Sequence, residues 1–348
     1  MHDIKPSPPP GRPRPGPRSR TSPPPGRPRP VGVDRPLRAL PGGRGAPSTR
    51  PVGNEERRQT PWGRLQKFAR TPKGYLIGAL LGLLAIAAPH QGMDALRVTG
   101  VATLTAVVLD FILHLVLREK FLAPTSALLT GLIIGMVLAP QEPTWTVIMT
   151  AGIAIGAKHL LRTSKAHIFN PAAVALALAP SLFGSGESWW GATAGLPAVA
   201  ILPLLVVGYL VAERANKIPQ VLTFLGVYFA FLTAMTYLTT TETIRIASMY
   251  RDPFLNSVLF LAFFMLTDPP TSPAKLWDQI GFGAGVAILA VLIELNHDTV
   301  TYLLLALLVG NAYWAWRRVT AVKSPPRKMA GGARMPARPT TPVAHAAE

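Results

Sequence analysis

The sequence predicts an all-α, polytopic membrane protein: about ten transmembrane helices in two inverted five-helix repeats, flanked by disordered basic tails. Three observations carry that prediction. Apolar runs follow one another from residue 75 to residue 316 with only short gaps. Just 15% of the 348 residues are charged and mean hydropathy is +0.29, against about 25% charged residues in a soluble domain. The net charge of +18 lies almost entirely outside the apolar body.

The placement of that charge decides what it means. Residues 1–70 hold sixteen Lys and Arg against four acids, residues 317–348 hold seven against one, and residues 71–316 hold twelve of each. Two basic tails around a neutral apolar body follow the positive-inside rule. They do not form the basic face of a nucleic-acid-binding domain, so no nucleic-acid partner is expected. There is no cysteine, which excludes disulfides and thiolate-bound iron–sulfur clusters. The seven histidines show no metal-ligand spacing, so no protein-bound metal is expected.

Residues 1–70 form a Pro- and Arg-rich tail in which Ser7-Pro-Pro-Pro-Gly-Arg-Pro-Arg-Pro15 recurs as Ser22-Pro-Pro-Pro-Gly-Arg-Pro-Arg-Pro30. Such a segment buries too little apolar surface to offset its ordering entropy, and disorder with polyproline II character is expected. It reads as a ligand for a proline-recognising partner, as an anchor for anionic headgroups, or as an unselected extension. No apolar run precedes residue 75, so it is not a signal peptide. Between Arg57 and Arg70, interleaved Trp62, Leu65 and Phe68 predict a short amphipathic helix on the cytoplasmic face.

The membrane domain is expected over 71–318, with helices near 75–90, 98–117, 122–140, 143–160, 168–184, 194–212, 218–239, 253–267, 278–294 and 299–316. The runs at 143–157, 253–267 and 279–293 fall short of the ~20 residues of a perpendicular span, so tilted or broken helices are expected there. With the amino terminus inside, inner loops carry eight basic residues from Arg118 to Lys275, and outer loops carry Arg97, Arg245 and Arg251. Both termini are therefore placed in the cytoplasm. Trp145, Trp189, Trp190, Trp277, Trp314 and Trp316 fall near predicted helix ends, where an interfacial belt belongs. The domain divides near residue 190 into two sets of five runs, about 75–184 and 194–316. An odd number gives the sets opposite orientations, the arithmetic of an inverted repeat. Residues 319–348 are expected to be a disordered basic tail.

Two segments interrupt apolar runs with proline: His167-Ile-Phe-Asn-Pro-Ala-Ala173 and Phe264-Met-Leu-Thr-Asp-Pro-Pro-Thr-Ser-Pro273. Proline lacks the backbone donor a helix needs, and a bilayer tolerates such a break only where protein or a water-filled cavity satisfies the freed backbone. Two broken helices point to a ligand site near the interface of the halves. Asn170 and Pro171 read as a helix cap and first turn that also aims amides into that site. Asp268, with Thr267 and Thr271 beside it, reads as a cap of the second break or as a functional intramembrane acid.

These motifs resemble a known family. Pro124-Thr-Ser-Ala-Leu-Leu-Thr-Gly-Leu-Ile-Ile-Gly-Met-Val-Leu-Ala-Pro140, Lys158-His-Leu-Leu161, Ile168-Phe-Asn-Pro-Ala172 and Phe264-Met-Leu-Thr-Asp-Pro269 are similar to the NqrB/RnfD family. Its members are the RnfD component of the Rnf ferredoxin:NAD oxidoreductase and the NqrB component of the sodium-translocating NADH:quinone oxidoreductase. The likeness covers roughly residues 64–318. It implies a ten-helix fold of inverted halves in the bacterial cytoplasmic membrane. It also implies a flavoprotein that passes electrons between flavins, working with other redox subunits or a separate electron donor, possible coupling to cation transport included.

In that family a threonine of a Ser/Thr-Gly-Ala-Thr motif carries FMN through a phosphoester bond made by a flavin transferase. The matching stretch is Trp190-Gly191-Ala192-Thr193, so the resemblance implies covalent FMN at Thr193 or a non-covalent flavin. Gly191 and Ala192 would admit a close backbone approach, Trp189 or Trp190 would stack on the ring, and a helix start after Thr193 would face the phosphate. The alternative is a threonine-capped loop with two belt tryptophans. Trp190 replaces a small hydroxyl residue, and Arg162-Thr-Ser-Lys-Ala-His167 replaces a glycine-rich segment. Both departures resemble stand-alone relatives of the family.

Other polar residues carry two readings. Asp110 and His114 share a helix face four residues apart, as a proton or cation relay or as polar glue between helices. Glu294, His297 and Asp298 cluster at an outer helix end, where solvation is expected. Gly281-Phe-Gly-Ala-Gly285 lies in an apolar span with no preceding strand and is not a nucleotide loop. The expected function is a membrane electron-transfer subunit that binds flavin. The alternative is a transporter or channel of the same fold without a flavin.

Overall fold

The computed structural model describes residues 61–118, 124–163, 166–238, 248–296 and 301–323. All of them fall in the unit Arg58–Glu348, and the unit Met1–Arg57 lies outside the described residues. The described chain is helical, without named strands. A short helix, α1 (Pro61–Ala69), precedes α2 (Pro72–Gln91), α3 (Met93–Val116), α4 (Thr125–Val137), α5 (Thr144–Leu160) and α6 (Pro171–Phe183). After two single 3-10 turns, Trp190–Ala192 and Ala198–Ala200, come α7 (Ile201–Arg214) and α8 (Ile218–Leu238). Helix α9 (Phe254–Phe260) winds on as a π-helical turn, Leu261–Met265, and α10 (Leu276–Asn296) and α11 (Tyr302–Lys323) follow.

Local chemistry sets the boundaries. Thr71 caps α2, accepting the Gly74 N–H at 3.1 Å, and Pro72 fills the first position, where a missing N–H costs nothing. Gly92, at φ +77, turns the chain between α2 and α3, a conformation that L side chains rarely adopt. Proline at 171 and asparagine at 170 repeat the cap-then-proline arrangement on α6.

Among the described residues, four helices are long and apolar enough to cross a membrane: Pro72–Gln91, Met93–Val116, Ile218–Met235 and Leu276–Asn296. Shorter apolar helices run over Thr125–Val137, Pro171–Phe183 and Phe254–Met265. Large apolar side chains such as Leu104, Phe111, Leu202 and Leu222 point outward, as lipid-facing surfaces require. The chain is a multi-pass membrane protein.

The innermost elements are α4, buried from Leu129 to Val137, and α9 with its π turn, buried from Asn256 to Met265. Small residues let α4 reach α3. A Cβ on Gly131 would come within 2.4 Å of Thr103 Cα, and one on Gly135 within 2.4 Å of Thr99 Cα. That four-residue glycine spacing is how membrane helices bring backbones together. Near the end of α4, Arg97 holds the Pro140 and Glu142 carbonyls at 3.1 and 3.0 Å.

Several expected boundaries move. Residues 61–69 form the short helix expected between Arg57 and Arg70, whereas α11 runs on to Lys323, past the expected end at 316. The sixth apolar run becomes an α-helix only at Ile201, not at 194. Gly195 takes φ +78, and Pro197 disfavours helix in the residue before it. Trp189 and Trp190 are buried, not interfacial, whereas Trp145, Trp277 and Trp316 are exposed. Glu294 is buried as well, against the expected solvation, and His297 and Asp298 lie outside the described residues.

Candidate functional site

The two breaks meet. Asn170 Oδ1 accepts the Ala173 N–H at 3.2 Å, capping α6, while its Nδ2 donates to the Met265 carbonyl at 3.4 Å, where the π turn ends. Other carbonyls of the second break also find protein donors. Gln220 of α8 donates to Leu266 O at 2.6 Å, Asn311 of α11 to Thr271 O at 3.2 Å, and Arg318 to Pro270 O at 2.7 Å. Lys217 Nζ donates to Pro273 O and Gln279 to Ala274 O. This is the compensation that non-helical backbone in an apolar setting demands.

Helix α11 stitches one break to the other. Asn311 also accepts the Asn170 N–H at 3.1 Å, and Arg318 also donates to the His167 carbonyl at 3.2 Å. Asn311 and Arg318 lie seven residues apart, two turns along one face of the helix. Their partners came into view only with the fold, although a polar Asn311 inside an apolar span was itself a sequence signal.

Between the breaks lies a cavity of about 380 Å³, within the size range of small-molecule sites. Asn170, Pro171, Thr267 and Asp268, all singled out from the sequence, line it together with the cations Lys73 and Lys158. Leu76, Leu129, Ile133 and Phe264 supply apolar wall, and His167 completes the polar side. Burial pushes the Asp268 carboxyl up to about 6, with the Thr271 hydroxyl at 2.9 Å and the Lys217 charge pulling the other way. Burial pushes Lys217, at the loop before α8, down to about 8, and Asp268 opposes that shift. His167 is lowered by burial first and by the Lys158 charge second.

Asp110 gathers more partners than its helix neighbour. Its Oδ1 lies 2.7 Å from Lys158 Nζ, 3.0 Å from His159 Nε2 and 3.8 Å from His114 Nδ1. The His114 Nδ1 sits 2.7 Å from the Asp110 carbonyl, and the two imidazoles meet edge to face at 5.3 Å. Asp110, His114 and His159 stand close enough to hold a metal ion. The same carboxylate oxygen already takes an ammonium, and His114 Nδ1 points at a carbonyl, so the cluster is built as a compensated ion pair instead. Lys158 and His159, adjacent on α5, belong to the Lys158-His-Leu-Leu161 motif.

The Thr193 turn lies elsewhere. The cavity touches Pro72 and Lys73 at the start of α2, whereas Gln91 at its other end reaches Ala194 O at 3.5 Å; a 20-residue helix separates them by about 30 Å. Thr193, at φ +61, is 1% exposed. Its hydroxyl donates to Ala200 O at 3.1 Å and accepts from Asn256 Nδ2 at 3.4 Å. Trp190 donates its indole N–H to Gly135 O at 2.9 Å, and a Cβ on Gly191 would strike the Met136 side chain at 2.4 Å. Ala192 is buried and its carbonyl accepts from Asn256 at 3.0 Å. The close approach that Gly191 permits is to Met136, and no helix starts at Thr193. In this structure the Thr193 hydroxyl is engaged inside the protein by Ala200 and Asn256.

The cavity, in contrast, combines apolar wall, the aromatic ring of Phe264, the polar residues Asn170, Thr267, Asp268 and His167, and the cations Lys73 and Lys158. Comparison with known protein families matches residues 58–194 and 186–316 to the NQR2, RnfD, RnfE family. The chain belongs to this family. Comparison with curated proteins finds no match. Membership in the NQR2, RnfD, RnfE family identifies the molecule as a membrane subunit of the Rnf/Nqr type.

Proposed function

We propose that this chain is the flavin-binding electron-transfer subunit of an Rnf/Nqr-type membrane assembly, with the flavin held non-covalently between the two breaks. The observation that carries the reading is the hydrogen bond from Asn170 to Met265 O, which joins motifs ninety-five residues apart at the rim of one cavity. Lys73 and Lys158 suit a phosphate or an electron-rich ring edge, and the apolar wall suits the ring faces. A flavin supplies reversible one- and two-electron chemistry there. The chain has no nucleotide-binding glycine loop, so electrons arrive from another protein. The engaged hydroxyl of Thr193 favours a flavin without a phosphoester bond.

In this reading α2–α6 and α7–α11 are ten spans in two inverted halves, both termini facing the cytoplasm. The packing supports it. The pairs α2–α3, α2–α4, α3–α4, α3–α5 and α5–α6 recur as α7–α8, α7–α9, α8–α9, α8–α10 and α10–α11, counting the π turn with α9. Helices α2–α7 and α6–α11, equivalent by that symmetry, pack across the halves. The matched family segments meet at 186–194, beside the division near residue 190. The cavity then opens toward the cytoplasm and the Thr193 turn lies on the outer side.

The test is bound flavin. Full-length protein purified in detergent should be yellow, release its flavin on denaturation, and keep its flavin content in Thr193→Val. Protein that stays colourless after incubation with FMN and riboflavin would remove the redox reading and leave a carrier of the same fold.

A further inference from the structure

Lys158 faces two ways. Lys158 lines the cavity, yet its ammonium lies 2.7 Å from Asp110 Oδ1, and Asp110 is not among the lining residues. Their side chains are 9% and 4% exposed, so each charge depends on the other for compensation. The pairing is nevertheless built to be exchanged. Asp110 keeps partners without the ammonium, since His159 Nε2 stands 3.0 Å from the same oxygen and His114 Nδ1 at 3.8 Å. The backbone of Lys158 is fastened separately, its carbonyl 3.1 Å from His167 Nδ1, and the His167 carbonyl is held by Arg318. The stem can therefore swing without moving α5. An ammonium on a four-carbon stem, with three rotatable donors, is suited to such a change of partner. Around it, Lys73 is the second cation of the cavity and Asp268 its acid.

We propose that Asp110 holds Lys158 in reserve for an anionic group in the cavity, a proposal that rests on the flavin reading above for its ligand, the phosphate-bearing FMN. Entry of the anion draws the ammonium off Asp110 and into the cavity, while His159 stays on the carboxylate. The consequence has an unusual sign. Asp110→Asn, at a residue outside the cavity, strengthens anion binding because the amide no longer retains the ammonium. Lys158→Met weakens it, and adding Asp110→Asn to Lys158→Met changes nothing further. A simple repulsion between Asp110 and the ligand would instead strengthen binding in both backgrounds.

The experiment titrates full-length protein, purified in detergent and stripped of flavin, with FMN, riboflavin and inorganic pyrophosphate by calorimetry. For FMN and pyrophosphate, Asp110→Asn should bind about tenfold tighter and Lys158→Met about tenfold weaker, with the double variant matching Lys158→Met. Riboflavin, without a phosphate, should shift far less. Lys158→Arg decides the matter should Asp110→Asn not fold: it keeps the charge, but its rigid fork stays on the carboxylate, so FMN should bind more weakly than to the natural protein. Equal tightening by Asp110→Asn in both backgrounds, or FMN affinity unmoved by every variant, overturns the reserve while leaving the flavin reading in place. Pyrophosphate binding with the expected pattern, but no flavin binding, sustains the reserve and removes the flavin. Failure of all three probes to bind overturns both.

Discussion

Replacing Asn170 with Ala tests the join between the breaks, and its cost can be worked from two hydrogen bonds. The first is the cap on the Ala173 N–H, whose loss costs about 1 kcal/mol. The second is the bond to Met265 O; leaving that buried carbonyl unpaired costs roughly 1–3 kcal/mol. The Asn170 N–H keeps Asn311 in either case. The sum, roughly 2–4 kcal/mol, corresponds to a fall in Tm of roughly 5–15 °C for a domain of this size. Asn170→Ser separates the two contributions. Its hydroxyl still caps α6 but is too short to reach Met265, so it should recover about 1 kcal/mol relative to Ala. The assay is thermal unfolding of the full-length protein in detergent, followed by tryptophan fluorescence, with flavin content measured on the same samples. An Ala variant melting within about 2 °C of the natural protein would show that water replaces the lost donor. The break would then be solvated and not clamped.

Three further outcomes follow from the same structure. Gly135→Ala should destabilise by roughly 1–3 kcal/mol by forcing α4 off α3, whereas Gly78→Ala, whose Cβ meets nothing within 4 Å, should not destabilise; paired Tm measurements decide. Thr193→Val should lose about 1 kcal/mol of stability through the Ala200 and Asn256 contacts without losing flavin, and in-gel fluorescence that survives denaturation and vanishes in this variant would establish a covalent bond instead. Burial pushes the Glu187 carboxyl up to about 8 from 4.5, the Trp189 indole N–H offsetting part of this. The folded chain then holds a proton that the unfolded chain releases, so stability falls as pH rises from the ordinary carboxylate range through about 8. Glu187→Gln should flatten that decline between about pH 5 and 8.

The sequence was most legible where a residue type answers a backbone requirement locally. Asn170-Pro171 and the Thr267-to-Pro273 break announce themselves because proline stops a helix whatever surrounds it, and the structure places both on one cavity. The run of helices was legible for the same reason, since apolar length is a local property. What failed to show were side chains whose role depends on a distant partner. Lys158 and His159 meet Asp110 across forty-eight and forty-nine residues, and Arg318 meets His167 across one hundred and fifty-one. Trp190 sits near a helix end, as a belt tryptophan would, yet the fold turns it inward onto Gly135. Thr193 was grouped with Asn170 and Asp268 by family likeness, and the path of α2 sets them at opposite ends of the bundle.

The double grip of α11 on the segments flanking the cavity has a consequence for how damage would spread. Asn311 and Arg318 each fasten one strand of connecting chain to the other, so neither strand can shift alone. A lesion in this single helix would loosen both walls at once. Its phenotype should therefore mimic injury to either distant motif, and genetic suppressors of one should cluster on the other.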